Sequence, residues 1–360
     1  MAGFQEAAAF APTTDLQLLP LRFERLRPDR YFVSNLVGEG LLLTHHELDR
    51  VVALDICPGD GLYERAFENL LVAARGQRSQ YQLLAMRLRS RMAFLQEPTP
   101  LHIFVVTLRC EHSCPYCQVS RKSNDKETFD MSAETAEKAL ALVFSSPSRG
   151  IKIEFQGGEP LLNFRLIRHI VERAETWNLG EGRNLQFVIA SNLALINEEI
   201  LEFCRDHDIL ISTSLDGPSD LHNATRPRPG NDSYERAIEG ISRVRNALGR
   251  DRVSALMTTT KLSLGRARDI IDEYMAQGFR GIFLRPISPY GFAVKTKWFK
   301  AYDVDEWLEF YFAGLDYILS LNRSGFAFTE FYAATILARG SPKRGKPVFG
   351  GDMLILVRRL

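Results

Sequence analysis

Residues 102–117 read HIFVVTLRCEHSCPYC. The first half is a β-branched and aromatic run, the pattern of a buried strand. The second half replaces it with a loop carrying Cys110, Cys114 and Cys117. The chain holds 5 cysteines, the other two being Cys57 and Cys204. An odd number in 360 residues does not resemble a disulfide framework, so the clustering of three calls for a chemical reason.

Outward from this stretch the sequence alternates between two patterns. Strand-like runs fall at 102–108, 151–155, 185–190, 209–215, 252–258 and 281–285. Segments with helical spacing lie between them, among them 164–177, 264–277 with Gly278 as its stop, and 303–321. Six β/α units imply parallel strands with crossover helices, as a doubly wound sheet or a barrel-like one. In either architecture functional groups gather at the C-terminal ends of the strands. The motifs fall there: CEHSCPYC (110–117), QGGEP (156–160), Ser191-Asn192, SLDGP (214–218) and RPISPYG (285–291).

The first 97 residues differ. A basic, proline-punctuated stretch leads into a hairpin pattern around Gly38–Gly40, followed by helical patterns over 44–54 and 62–92, the second broken near Gly76. They read as a small α+β, winged-helix-like module, and Pro98-Thr99-Pro100 as its boundary. Lys+Arg number 45 and Asp+Glu 44, so the net charge of +1 argues against a protein that grips a phosphate backbone. No apolar run reaches the roughly 18–20 residues of a bilayer span. The start lacks a basic n-region and carries Glu6, so no secretory signal, no membrane partner and a cytoplasmic location are expected.

Three thiols after a buried strand can converge on one centre. A [4Fe–4S] cluster normally takes four cysteines, and three would leave one iron open. Zinc is the blander reading, with His112 as a fourth ligand, although His112 sits awkwardly between Cys110 and Cys114. Three unligated cysteines is the blandest. The spacing Cys-x3-Cys-x2-Cys with Tyr116 before the last cysteine resembles the signature of the radical S-adenosylmethionine (SAM) superfamily. That resemblance implies a partial (β/α)6 TIM-like barrel over 98–325. It also implies a [4Fe–4S] cluster on Cys110, Cys114 and Cys117 and SAM chelating the open iron. Reductive cleavage of SAM would then give a 5′-deoxyadenosyl radical that abstracts hydrogen from a substrate.

The same resemblance assigns roles along the rim. Gly157, Gly158, Glu159 and Pro160 match the segment that receives the SAM ammonium group, although GGEP alone also reads as a turn opening a helix. Ser191 and Asn192 match a ribose-binding position, Asn192 the more clearly; Asn and Ser also cap helices, and Asn197 is placed to cap the next one. Ser214 and Arg226 match the groups that hold the methionine carboxylate, a task suited to a guanidinium fork. Asp216 is expected to handle a proton or orient its loop, or simply to form an Asp-Gly turn. Arg285 lies on the adenine side, and Thr258–Thr260 is expected to face the site. His222 reads as a loop histidine, Cys57 and Cys204 as packing.

SLDGP followed by His222-x3-Arg226 resembles the peptide-maturing branch, whose SPASM-type members carry further cysteines C-terminally. The opening 18–44 and QGGEPLLNF are most similar to the His-Xaa-Ser system radical SAM maturase, B-type subunit. The resemblance implies a ribosomally made peptide substrate, possible pairing with a second maturase subunit, an external one-electron donor, and no nucleic-acid partner. The N-terminal module is then either a peptide-recognition element or a brace. No cysteine follows Cys204, so 326–360 is expected to be a truncated third region, with an aberrant tail over 340–360. The alternative is a protein that binds cluster and SAM without peptide turnover.

Overall fold

In the computed structural model, residues 12–96 and 98–340 are described. They divide into two units, one of 12–96 with 339–340 and one of 98–338. The first contains β1 (Leu16–Leu18), β2 (Leu21–Arg27), β3 (Arg30–Asn35), β4 (Gly40–Thr44), α1 (His45–Val52), α2 (Gly61–Glu68), β5 (Val72–Ala74) and α3 (Ser79–Arg91). Strands β2, β3 and β4 form an antiparallel meander, and β1 pairs antiparallel with β5. Thr44 starts α1 with a capping box: its hydroxyl takes the Glu47 N–H while the Glu47 carboxylate takes the Thr44 N–H. Val33, Leu43, Val51 and Leu71 are fully enclosed and centre the core of this unit. The helical pattern over 62–92 is broken more deeply than Gly76 suggests. It is two helices, α2 and α3, with β5 between them.

The second unit runs from Pro98 to Ala338. Its sheet is β6 (Leu101–Thr107), β7 (Gly150–Gly157), β8 (Asn184–Ala190), β9 (Leu210–Ser214) and β10 (Val253–Leu256), all parallel, in the spatial order β10-β9-β8-β7-β6. The segments between and after these strands carry α4 (Lys126–Phe129), α5 (Ala133–Ser145), α6 (Phe164–Asn178), α7 (Glu198–Asp206), α8 (Ser219–Thr225), α9 (Ser233–Leu248), α10 (Ala267–Ala276), α11 (Gly291–Lys295), α12 (Val304–Arg323) and α13 (Phe331–Gly340). One row of the sheet explains its stability. Phe104, Phe155, Ile189, Ile211 and Val253 stand in register across all five strands, and all are buried. Each contributes about 1.5–3 kcal/mol by leaving water. α6 packs with Leu166, Ile167, Ile170, Val171 and Ala174, the face its spacing predicts.

Two expectations change here. The sixth strand, read over 281–285, is only β11 (Gly281–Ile282), and it pairs with β12 (Thr329–Glu330) rather than joining the sheet. Glu330 explains this. Its buried carboxylate takes the Leu284 N–H, the Tyr311 hydroxyl and the Ala333 N–H, so a side chain occupies a donor that a ladder would need. The same pairing draws Phe328–Ala338 into the core unit, past the boundary expected at 325/326. Residues 341–360, most of the expected aberrant tail, lie outside the described residues, as do 1–11.

Candidate active site

The loop after β6 is anchored from below by a buried ion pair. Arg109 donates Nε to Asp130 Oδ1 at 2.7 Å, Nη2 to Oδ2 at 2.8 Å, and Nη2 to the Leu162 carbonyl at 2.8 Å. Thr107 adds its hydroxyl to Asp130 Oδ1. Burial alone would raise Asp130, but the Arg109 and Thr107 hydrogen bonds prevail and hold its carboxyl low. The GGEP turn is laid against this loop. Gly158 N–H donates to the Thr107 carbonyl at 2.9 Å and Glu159 N–H to the Arg109 carbonyl at 2.7 Å. A Cβ on Gly157 or Gly158 would fall far inside contact distance of those same two carbonyl oxygens, and Gly157 has φ +150°. The two glycines are therefore required by close backbone approach.

All three thiols of the loop line one cavity of about 270 Å³. None forms a disulfide. Burial pushes the Cys114 thiol up to about 12, with Arg226 opposing. Burial, Glu111 and Glu159 raise Cys110. Without a cluster, Cys110 and Cys114 are thus protonated thiols that release their protons when metal binds. Cys110, Glu111 and His112 also place one ligand atom each within 4.8 Å of one another. Yet both ring nitrogens of His112 have partners, Glu111 Oε1 at 3.1 Å and Ser233 Oγ at 2.8 Å, which weakens His112 as a zinc ligand.

Glu159 occupies the wall beside the cysteines. Its Oε1 accepts from the Leu161 N–H and the Ser191 hydroxyl, its Oε2 from the Asn192 N–H. Burial, then the neighbouring Glu111 charge, raise it to about 8 against the pull of those three donors. The folded value lies above that of a free glutamate, so the native state holds the proton more tightly than the unfolded chain. That contribution to stability is complete below the ordinary value of 4.5 and lost as pH rises through about 8. Denaturation of cluster-free protein should therefore show stability falling across this window, and Glu159→Gln should flatten the slope. An unchanged slope in Glu159→Gln would contradict the assignment.

The far wall comes from β9, β10 and the segment after β11. Ser214 and Arg226 line it, and Arg226 is held from behind by Asp216 through Nε at 2.9 Å. Asp216 is wholly enclosed. It also takes the Tyr116 and Thr225 hydroxyls and the Thr258 N–H. Burial would raise it, but the Arg226 charge, helped by the Tyr116 and Thr225 hydroxyls, outweighs burial and keeps it low. Arg226 also lies 5.4 Å from the Tyr116 ring centre. The expectation that Asp216 handles a proton gives way here. Both of its oxygens are occupied and it is not on the cavity wall, so it orients Arg226 and Tyr116 instead. Arg285 donates to Gln118 at 3.1 Å, and the chain beyond it locks onto the cysteine loop through Ala293 N–H to the Cys117 carbonyl and the Thr296 hydroxyl to Pro115.

Cys110, Cys114, Tyr116, Cys117, Gly157, Gly158, Glu159, Ser191, Asn192, Ser214, Arg226 and Arg285 all line the same cavity, with Thr258 beside them. Pro160 does not, being buried at the start of a short 3-10 turn. Asn192 does not cap α7; that role falls to Asn197, which accepts from Ile200 N–H. Sequence reasoning missed Gln118, Glu154, Ser212 and Thr213 on the wall. The two-residue alternation along β7 places Glu154 on the face of Gln156 and would have found it. Two polar atoms on this wall, Thr213 Oγ1 and Arg285 Nε, are buried without a partner in the protein. Three thiols, a carboxylate, an arginine and orphaned polar atoms suit an iron–sulfur cluster with a polar, zwitterionic co-ligand.

Comparison with known proteins agrees. Residues 104–273 match the family model described as the Radical SAM superfamily. The chain is 38% identical over 125 residues to an uncharacterised protein of Methanocaldococcus jannaschii, 35% of this chain and 41% of that one. It is 29% identical over 136 residues to a cysteine-type anaerobic sulfatase-maturating enzyme of Clostridium perfringens, 36% of each. The solved structure of native anSMEcpe with bound AdoMet and Kp18Cys peptide aligns with TM-score 0.54 at 19% identity, over 66% of this chain and 64% of that one. This chain therefore spans less than half the length of those two curated relatives. The matched stretch holds the cysteine loop and most of the parallel sheet, and members of the radical SAM superfamily bind a [4Fe–4S] cluster and SAM. Among the described residues no helix is long and apolar enough to cross a membrane.

Proposed function

We propose that this chain is a radical SAM peptide maturase. Cys110, Cys114 and Cys117 would hold the cluster, and SAM would lie against Gly157, Gly158 and Glu159 with its ammonium group. Arg226 and Ser214 would take the methionine carboxylate, Ser191 and Asn192 the ribose, and Arg285 the adenine side. When bound, the cluster and SAM supply one-electron reductive cleavage and hydrogen-atom abstraction. The observation that carries this reading is the convergence of the three thiols, Glu159 and Arg226 on one cavity. An arginine and a carboxyl that an adjacent ammonium group would ionise stand on its wall, where a zwitterionic amino-acid moiety needs them.

The chain's own groups do the positioning. Asp216 fixes the guanidinium of Arg226, and the Arg109–Asp130 pair fixes the backbone from which Cys110 starts. The substrate is a ribosomally made peptide of the His-Xaa-Ser repeat type, with an external electron donor and a second maturase subunit as partners. The sulfatase-maturating relative and the peptide-bound neighbour support a peptide substrate. A reducing, cytoplasmic setting suits free thiols and an oxygen-sensitive cluster. The test is to incubate reconstituted protein with SAM, reductant and a synthetic His-Xaa-Ser repeat peptide. A SAM-dependent change in peptide mass is expected. Release of 5′-deoxyadenosine with the peptide unaltered would overturn the substrate assignment.

A further inference from the structure

A line of hydrogen bonds runs from Asp216, behind the cavity wall, to His112 and Asn192 on it. The backbone N–H of Asp216 donates to His222 Nδ1 at 3.2 Å. His222 Nε2 lies 3.2 Å from Ser233 Oγ, and the same oxygen lies 2.8 Å from His112 Nε2. His112 Nδ1 lies 3.1 Å from Glu111 Oε1, which also takes the side-chain amide of Asn192 at 2.8 Å. Asp216, His222, Ser233 and His112 are between 0% and 3% exposed, so each group must find its partner within the protein.

The direction of this line follows from one fixed donor. A backbone N–H can only donate, so His222 Nδ1 is a bare acceptor and the proton of His222 sits on Nε2. Burial pushes His222 down to about 3, which keeps it a neutral imidazole. His222 Nε2–H then donates to Ser233, whose single hydrogen is left for His112 Nε2. His112 therefore carries its proton on Nδ1, facing the Glu111 carboxylate. Asn192 Nδ2 also lies 3.0 Å from His112 Nδ1, and with Nδ1 protonated both donors converge on Glu111 Oε1; the opposite arrangement would strand the Ser233 hydrogen and set a ring lone pair 3.1 Å from that carboxylate oxygen.

We infer that Ser233, the first residue of α9, is a positioning residue of the cofactor site. It fixes the tautomers of two histidines from different elements. In doing so it ties the Asp216–Arg226 arm to the Glu111–Asn192 arm, the two sides that grip SAM. The inference rests on the SAM reading of those arms. No proton moves along the line; it is a static brace, with Ser233 acting through His112 and His222.

The test begins with cluster-free protein labelled with 15N-histidine. Long-range 1H–15N spectra report which ring nitrogen is protonated, with His112→Asn and His222→Asn giving the assignments. The expected result at pH 7 is Nε2–H for His222 and Nδ1–H for His112. In reconstituted Ser233→Ala, iron content should match wild type while SAM affinity falls roughly 10-fold. Ser233→Thr, which keeps the hydroxyl, should restore the affinity. A proton on Nε2 of wild-type His112, or unchanged SAM affinity in Ser233→Ala, would overturn the inference. Because the tautomers are read without cluster or SAM, absence of SAM cleavage would count against the cofactor reading and not against this one.

Discussion

Cys114→Ala will leave the reconstituted protein without a [4Fe–4S] absorbance and will lower 5′-deoxyadenosine formation by at least about 1000-fold. Cys114 is the most enclosed thiol of the loop, packed with Tyr116, Ile287 and Ala293. Removing it leaves two sulfur ligands where a cluster with one open iron needs three. The loop itself should survive, because its backbone is held by Lys122 N–H to the Leu108 carbonyl, Ser113 N–H to the Pro227 carbonyl and the Arg109–Asp130 pair. Cys204→Ala is the matched control. Cys204 is buried even more deeply, but inside α7 and away from the cavity wall. It should retain full iron and full turnover. Iron per chain, the visible spectrum and product by chromatography read all three outcomes. Full iron in Cys114→Ala would contradict the ligand assignment.

The second large effect is on stability. Asp216→Ala should cost about 3–5 kcal/mol, because it leaves the guanidinium of Arg226 buried without its counter-charge. The same change strips the Tyr116 and Thr225 hydroxyls and the Thr258 N–H of their acceptor. Glu134→Ala, which breaks the exposed Glu134–Lys138 pair on α5, should stay within about 1 kcal/mol. Urea denaturation of the two variants side by side measures the difference. Equal losses would mean that Asp216 is not the anchor of this wall. Asp216→Asn should fall between them, since it keeps the shape and an acceptor oxygen but not the charge.

Much of this was legible in the sequence, and the reason is local. Strands β6 to β10 carry short β-branched runs ending in polar or glycine motifs, and those runs lie within one or two residues of the observed strands. Cys110, Cys114, Cys117 and GGEP lie near each other along the chain or at strand ends, so topology alone brings them together. What stayed hidden depends on long-range side-chain pairing. Tyr116 meets Asp216 across 100 positions, and His112 meets Ser233 across 121. No periodicity encodes such contacts, so the sequence left Asp216 open between handling a proton, orienting its loop and forming a turn, and Ser233 did not stand out at all. The sixth strand failed for a related reason. Its residues are apolar enough for a strand, but Glu330, 46 positions from Leu284, takes its backbone donor.

A cavity that holds a cluster and SAM together cleaves SAM when an electron is supplied. The most direct measurement is 5′-deoxyadenosine released by anaerobically reconstituted wild-type protein given SAM and a one-electron reductant. Product that requires both iron and reductant is expected. Protein that carries zinc in place of iron at Cys110, Cys114 and Cys117, and that releases no 5′-deoxyadenosine, would contradict the cofactor reading.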